Sequence, residues 1–178
     1  MSTSQRLLAA GVALASVTLV VVATEPTLAR FALLLLAVVG PFLAAVDIQQ
    51  RCLPDVMTLP LAAGCGTLLT VTALLDGDLS RGLVALACGV GSVGFFFLLH
   101  LRSPGELGFG DVKLMLSLGP LLGWQGVTAT LLGIMAGLVS ALILGGILIL
   151  TGRGSRRSHL ALGPHLILGA FVAGLLTY

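Results

Sequence analysis

The sequence predicts an all-α, polytopic membrane helix bundle of about 6–7 transmembrane segments. Three observations predict it. The 178 residues are 57% hydrophobic and 9% charged, whereas a soluble domain carries about 25% charged residues. The mean hydropathy is +1.14, and the apolar runs leave too little polar sequence to cover a water-solvated core. The 24 glycines suit the close backbone approach by which helices associate in lipid.

A spanning helix needs about 20 mainly apolar residues. Candidates lie at about 7–24, 29–46, 56–75, 82–101, 111–123, 126–151 and 159–178. Arg6 and Thr27-Leu28-Ala29 loosely fit a cleaved signal peptide around the first. However, its uncharged run from Leu7 to Thr24 is 18 residues long and exceeds the usual signal core of about 7–15, so it is expected to be retained as a span. The second is closed by Asp47 and followed by Arg51, the third opens after Pro54-Asp55, and the fourth is followed by Arg102. The fifth is short for a span and needs help from neighbouring residues or local bilayer thinning. Trp124 at its far end is placed like an interfacial anchor. The sixth is followed by Arg153, Arg156 and Arg157 in the basic stretch TGRGSRRSH, read as an orientation signal, and the seventh closes the chain.

Arginine and lysine accumulate in cytoplasmic loops. If all seven segments cross and the N-terminus is inside, seven of the nine basic residues lie inside, Lys113 at the boundary among them, with Arg30 and Arg81 outside. If 111–123 does not cross, the 153–157 cluster falls on the side opposite Arg51 and Arg102. Charge therefore favours a spanning fifth segment. Residues 1–178 read as a single integral membrane domain, with no soluble domain, internal repeat or low-complexity tail.

A net charge of +2, with no basic cluster interleaved with aromatics, speaks against nucleic acid. Cys52, Cys65 and Cys88 form no CxxC pair and stand far in sequence from His100, His159 and His165. No metal signature or disulfide framework follows, no cofactor is expected, and the cysteines read as small apolar packing residues.

Seven residues are acidic. Glu25, Asp76 and Asp78 fit solvated external loops, and Glu106 fits a loop at 102–110. Asp47, Asp55 and Asp111 remain. Asp47 and Asp111 are 64 residues apart, yet under this topology both lie at the cytoplasmic boundary. Carboxylates near a bilayer core tend to face a bundle interior or a water-filled cavity. Two readings stand at this point: interfacial charges, with Asp111 capping its helix, or a facing pair. Asp55, after Pro54, reads first as a helix-start residue. Gly108 and Gly110 flank Phe109 and permit a tight turn or close approach of another chain before Asp111. Two facing carboxyls do not both ionise easily and share a proton. One can then take a proton from water while the other donates to a carbonyl or leaving amine. Lys113 either biases the local field or snorkels to water.

Gly108-Phe109-Gly110-Asp111 resembles the GxGD signature of intramembrane aspartyl proteases. DIQQRCLPDVMTLP at 47–60 resembles the partner motif of the type IV prepilin peptidases, an Asp at a helix end followed by a (Leu/Ile)-Pro-(Asp/Asn) turn. GFGDVKL continues the pattern, and LGPHLILGA at 162–170 resembles the family's late Gly-Pro segment. The resemblance covers about residues 31–178, and the motifs in this order in a polytopic chain make it specific. It implies Asp47 and Asp111 as the catalytic pair, with Gly108, Gly110, Pro54, Asp55 and Lys113 as motif or supporting residues. It implies a multi-pass protein of a prokaryotic inner membrane, active near the cytoplasmic face. The implied partner is a pilin-like precursor with a short basic leader, cleaved after a glycine just before its hydrophobic helix. Larger family members carry an N-terminal insert with paired cysteines and also methylate the new N-terminus. This chain shows no such insert and no cysteine pairs and resembles the short peptidases of tight-adherence pilus systems, which makes methyltransferase activity doubtful. The competing class is a transporter or proton/cation relay using the same carboxylates.

Thiol labelling tests the orientation. Cys52, between Asp47 and Asp55, is expected to react with a polar thiol reagent from the cytoplasmic side only, while Cys65 and Cys88 resist. Labelling of Cys52 from outside intact cells would reverse the topology.

Overall fold

A computed structural model describes residues 3–24, 27–50, 53–102, 107–152 and 161–177. Cys52, Glu25, Glu106 and the basic residues 153–157 lie outside the described residues. Seven helices form among the described ones: α1 (Thr3–Ala23), α2 (Leu28–Gln50), α3 (Asp55–Leu75), α4 (Leu79–Arg102), α5 (Phe109–Gly123), α6 (Val127–Leu150) and α7 (Gly163–Leu176). The protein is an all-α bundle, as the composition predicts. The first four helices and α6 are long and apolar enough to cross a membrane.

The two short helices are the informative ones. The 15 residues of α5 extend about 22 Å at 1.5 Å per residue, less than a hydrocarbon core of about 30 Å. Yet ten of those residues are buried, because α3, α4, α6 and α7 all pack against α5. Most of its surface is covered by protein, Phe109 and Leu116 being its exposed large side chains, so its length need not match the lipid. The outermost helix, α1, rests against α2.

Small residues make this wrapping possible. A Cβ on Gly119 would lie 2.8 Å from the Gly89 Cα, and one on Gly123 would lie 2.5 Å from the Cys88 Cβ. The ring of Pro120 fills the space beside Gly89, where a Cβ would meet its Cγ at 2.7 Å. Thus α4 and α5 touch nearly backbone to backbone. The seam between α6 and α7 is tighter. A Cβ on Gly169 would lie 2.4 Å from the Gly133 carbonyl oxygen and 2.5 Å from the Gly137 nitrogen. Packed between these seams is an apolar core that includes Leu36, Leu43, Phe96, Leu114, Leu118 and Leu166.

Two sequence expectations change. Trp124 is not an exposed interfacial anchor: it is 4% exposed. The Arg81 guanidinium carbon lies 5.0 Å from its ring centre, and Arg81 Nε donates to the Trp124 carbonyl at 2.7 Å. Arg81 thus ties the far end of α5 to α4, satisfying a carbonyl at the end of α5. Asp78 is also more than a solvated loop charge, since its carboxylate accepts from the Arg81 backbone N–H at 3.0 Å and so caps the start of α4. Cys65 is buried as expected, and Cys65 and Cys88 are both free.

Replacing Gly169 with Ala should destabilise the detergent-solubilised protein by about 2 kcal/mol or more, since backbone rather than a movable side chain opposes the new methyl. Gly66→Ala, where nothing lies within 4 Å of the added carbon, should leave the thermal midpoint at or slightly above wild type. Equal midpoints for the two variants would contradict the α6–α7 seam.

Candidate functional site

The chain brings three helix ends together: the last turn of α2, the first turn of α5 and the first turn of α7. Asp47 lies inside α2, which continues to Gln50, rather than at its end as the apolar run suggests. Pro54 precedes α3 with φ −70° and ψ 131°, and its carbonyl accepts from the Met57 and Thr58 backbone N–H groups at 3.0 and 3.1 Å. The fixed proline φ suits this turn. Gly108 is the N-cap of α5, so Asp111 stands at the third helical position.

Asp47 and Asp111 are 5% and 7% exposed and lie within electrostatic reach of each other. Asp47 receives a backbone donor from a helix start, Gly163 N–H donating to its Oδ2 at 3.1 Å, while the Asp111 backbone N–H donates to the Gly108 carbonyl at 3.1 Å. Helix N-termini favour negative charge, so α5 and α7 both present their positive ends to this pair. Leu53, buried in the α2–α3 connection, sits between the two halves. Its Cδ1 would lie 3.2 Å from a Cβ on Gly110 and 3.4 Å from one on Gly163.

The glycines divide into two kinds. At Gly110 a Cβ would meet the Leu53 Cβ at 2.9 Å, so this position must stay small for the chain to pass. Gly163 is more constrained, because a Cβ there would lie 2.6 Å from Asp47 Oδ2. Gly108 has φ −67° and ψ 138°, a conformation open to any residue, and a Cβ there would meet Asp111 Oδ2 at an ordinary 3.4 Å. Among the described residues, nothing forces glycine at 108.

Asp55 and Lys113 stand apart from this pair. Asp55 starts α3, where its charge suits the dipole, but it makes no capping hydrogen bond. Its Oδ1 pairs instead with Lys113 Nζ at 2.6 Å, with the side chains 55% and 25% exposed. Lys113 Nζ also lies 5.2 Å from the centre of the Phe109 ring. Three further residues join the site's surroundings without having been singled out as site residues from sequence: Leu53, Gly163 and His100. LGPH at 162–165 was recognisable as a motif, but its contact with Asp47, 116 residues away, leaves no local signal. Among the described residues no three His, Cys, Asp or Glu side chains are grouped to hold a metal ion.

A bundle of apolar helices, five of them long enough to cross a membrane, that also buries two carboxylates defines a multi-pass membrane protein. Its sequence matches the type IV leader peptidase family over residues 31–177, and the chain belongs to that family. It is 37% identical over 145 residues to a prepilin leader peptidase/N-methyltransferase of Dickeya chrysanthemi, covering 80% of this chain and 49% of that protein. It is 33% identical over 153 residues to the protein of the same name from Aeromonas hydrophila, covering 83% of this chain and 50% of that one. A further relative so named, from Klebsiella pneumoniae, is 42% identical over 91 residues, covering 51% of this chain and 40% of that one. The chain spans about half the length of the curated relatives it matches. No solved structure matches it.

The Asp55–Lys113 pair is too exposed to be a strong brace. A double-mutant cycle of Asp55→Asn and Lys113→Met, read by thermal unfolding in detergent, should give a coupling below about 1 kcal/mol. A coupling of several kcal/mol would show that the pair holds α3 to α5.

Proposed function

We propose that this chain is a membrane-embedded aspartyl endopeptidase that removes the short basic leader of prepilin-like precursors at the cytoplasmic face of a prokaryotic inner membrane. The observation that carries the reading is that Asp47 and Asp111, 64 residues apart in sequence, are both buried and within electrostatic reach of each other. Family membership and the names of the relatives support the substrate class.

In this mechanism the two carboxyls share one proton, because two adjacent buried carboxylates repel when both are ionised. The ionised member takes a proton from a water molecule as that water attacks the scissile carbonyl. The protonated member donates to the carbonyl oxygen as it gains negative charge. Collapse of the tetrahedral intermediate breaks the C–N bond: the leaving amine takes a proton from one carboxyl of the pair while the other recovers one from the intermediate's hydroxyl, which restores the shared proton. The backbone N–H of Gly163 holds the Asp47 carboxylate in place without adding a competing charge. The basic leader approaches from the cytoplasmic side, where the loops after α2 and α4 lie, while the precursor's hydrophobic helix stays in lipid beside the bundle. The proposal is for the peptidase step.

The test is cleavage of a precursor bearing a basic leader by the purified protein. Asp47→Asn and Asp111→Asn should each lower the rate at least about 100-fold, the scale of general acid–base catalysis. Each variant should remain folded and inserted, because Asn keeps the shape of Asp. The double variant should fall no further, since the residues act as a unit. Asp55→Asn should be mild, its carboxylate being exposed and paired with Lys113. Normal cleavage by every variant would sink the aspartyl mechanism. Gradient-linked flux without cleavage would indicate the transporter class instead.

A further inference from the structure

We propose that Ser140 and His165 are positioning residues for Asp47: they hold the first turn of α7 from behind and so fix the aim of the Gly163 N–H. The proposal rests on the peptidase reading above.

The first turn of α7 offers Asp47 a single backbone donor. Helix starts ordinarily leave several N–H groups without a partner in the helix. Here Pro164 has no N–H to give, and the N–H groups of His165 and Leu166 both go to the Leu162 carbonyl at 3.1 Å. The Gly163 N–H remains, and it donates to Asp47 Oδ2 at 3.1 Å. It shares a planar peptide unit with the Leu162 carbonyl, so the turn and its donor move as one piece. The fit is close. A Cβ on Gly163 would lie 2.6 Å from Asp47 Oδ2, so no side chain can stand between the two. A withdrawal of the turn by about 0.5 Å would take the contact to the length at which no hydrogen bond remains.

What opposes withdrawal lies on the other side of the turn. Successive helical residues are about 100° apart, so the His165 side chain leaves α7 about 200° around from the Gly163 position. There it meets α6. Its Nδ1 is 3.0 Å from Ser140 Oγ, and the Ser140 hydroxyl donates to the Gly137 carbonyl at 2.8 Å. A hydroxyl has one hydrogen, so Nδ1 carries its own and donates to Ser140. The backbones touch at the same level: a Cβ on Gly137 would lie 3.0 Å from both the His165 carbonyl oxygen and the Leu166 Cα. Gly137 is thus the seat for the turn and Ser140 the latch. Apolar contacts along the rest of α7 are non-directional and tolerate small shifts, whereas a hydrogen bond fixes distance and angle. Without the latch the turn can rock away from α2. Asp47 would keep its place on α2 but lose its aimed donor, which lowers turnover rather than substrate binding.

The precursor cleavage assay, run below the thermal midpoint of every variant, reads the first consequence. His165→Phe and Ser140→Ala should each lower kcat about tenfold with KM within about twofold, as expected for a misaimed catalytic group. His165→Asn keeps an N–H donor close to the position of Nδ1 and should stay within about threefold of wild type. Phe and Ala remove the same contact, so their combination should fall no further than either alone. Equal activity or equal loss in the Phe and Asn variants would overturn the proposal, as would a raised KM with unchanged kcat. Hydrogen exchange at the Gly163 amide needs no cleavage. It should be slow in the wild-type protein and at least about tenfold faster in His165→Phe, while the amides from Leu168 to Leu176 keep their rates. Uniform acceleration along α7 would make His165 a general packing group and overturn the proposal. Fast exchange at Gly163 in the wild type would overturn it even if the protein proves to be a peptidase. The expected exchange pattern in a protein that cleaves no precursor would uphold the latch and count against the peptidase reading instead.

Discussion

The fold depends on keeping Asp111 out of lipid. A carboxylate exposed to hydrocarbon is costly, and so are unpaired backbone groups at the start of its helix. The chain meets both demands by carrying Asp111 on a helix too short to face the bilayer and surrounding that helix with four others. Such a wrap requires backbones to approach more closely than ordinary side chains allow. Gly89 against Pro120, Gly119 and Gly123 against the 85–89 stretch of α4, and Gly169 against Gly133 and Gly137 are where that approach occurs. Other glycines, Gly66, Gly91 and Gly94 among them, face open space.

Once α5 is enclosed, the site follows from where helices begin and end. The last turn of α2 supplies one carboxylate, the first turn of α5 the other, and the first turn of α7 a backbone donor. Reactive groups on regular elements are held more firmly than groups on loops. Leu53, from a connecting segment, fills the gap beside Gly110 and Gly163, so the connection is part of the site's wall. Gly163 approaches Asp47 so closely that the smallest side chain would displace the carboxylate, which gives the late Gly-Pro segment a physical role at the site.

The opposite end of α5 is fastened differently. Arg81 holds Trp124 through both its ring and its carbonyl, and Asp78 caps the helix start from which Arg81 projects. The same short helix is therefore restrained at its acidic end by apolar packing, and at its far end by a cation. The ion pair of Lys113 with Asp55 lies on the exposed side, where water screens it and its energetic share is small.

The sequence by itself determined the class of the fold, the seven helices to within a few residues, and the candidates for the acidic pair. These features are local: apolar runs of membrane length, Pro54 before α3, and a Gly-rich turn before Asp111 each act on adjacent residues. It did not determine that α2 runs past Asp47, because Ile48 to Gln50 carry no stop signal and only packing decides where a helix frays. Nor did it fix the fate of Trp124, whose interfacial position was legible but whose burial depends on Arg81, 43 residues away. The contacts of Gly163 with Asp47 and of His100 with the Leu107 carbonyl were likewise invisible, since a backbone N–H or C=O carries no residue identity. Only the tertiary structure decided them, because a buried carboxylate takes whichever donor the converging helix ends bring within reach.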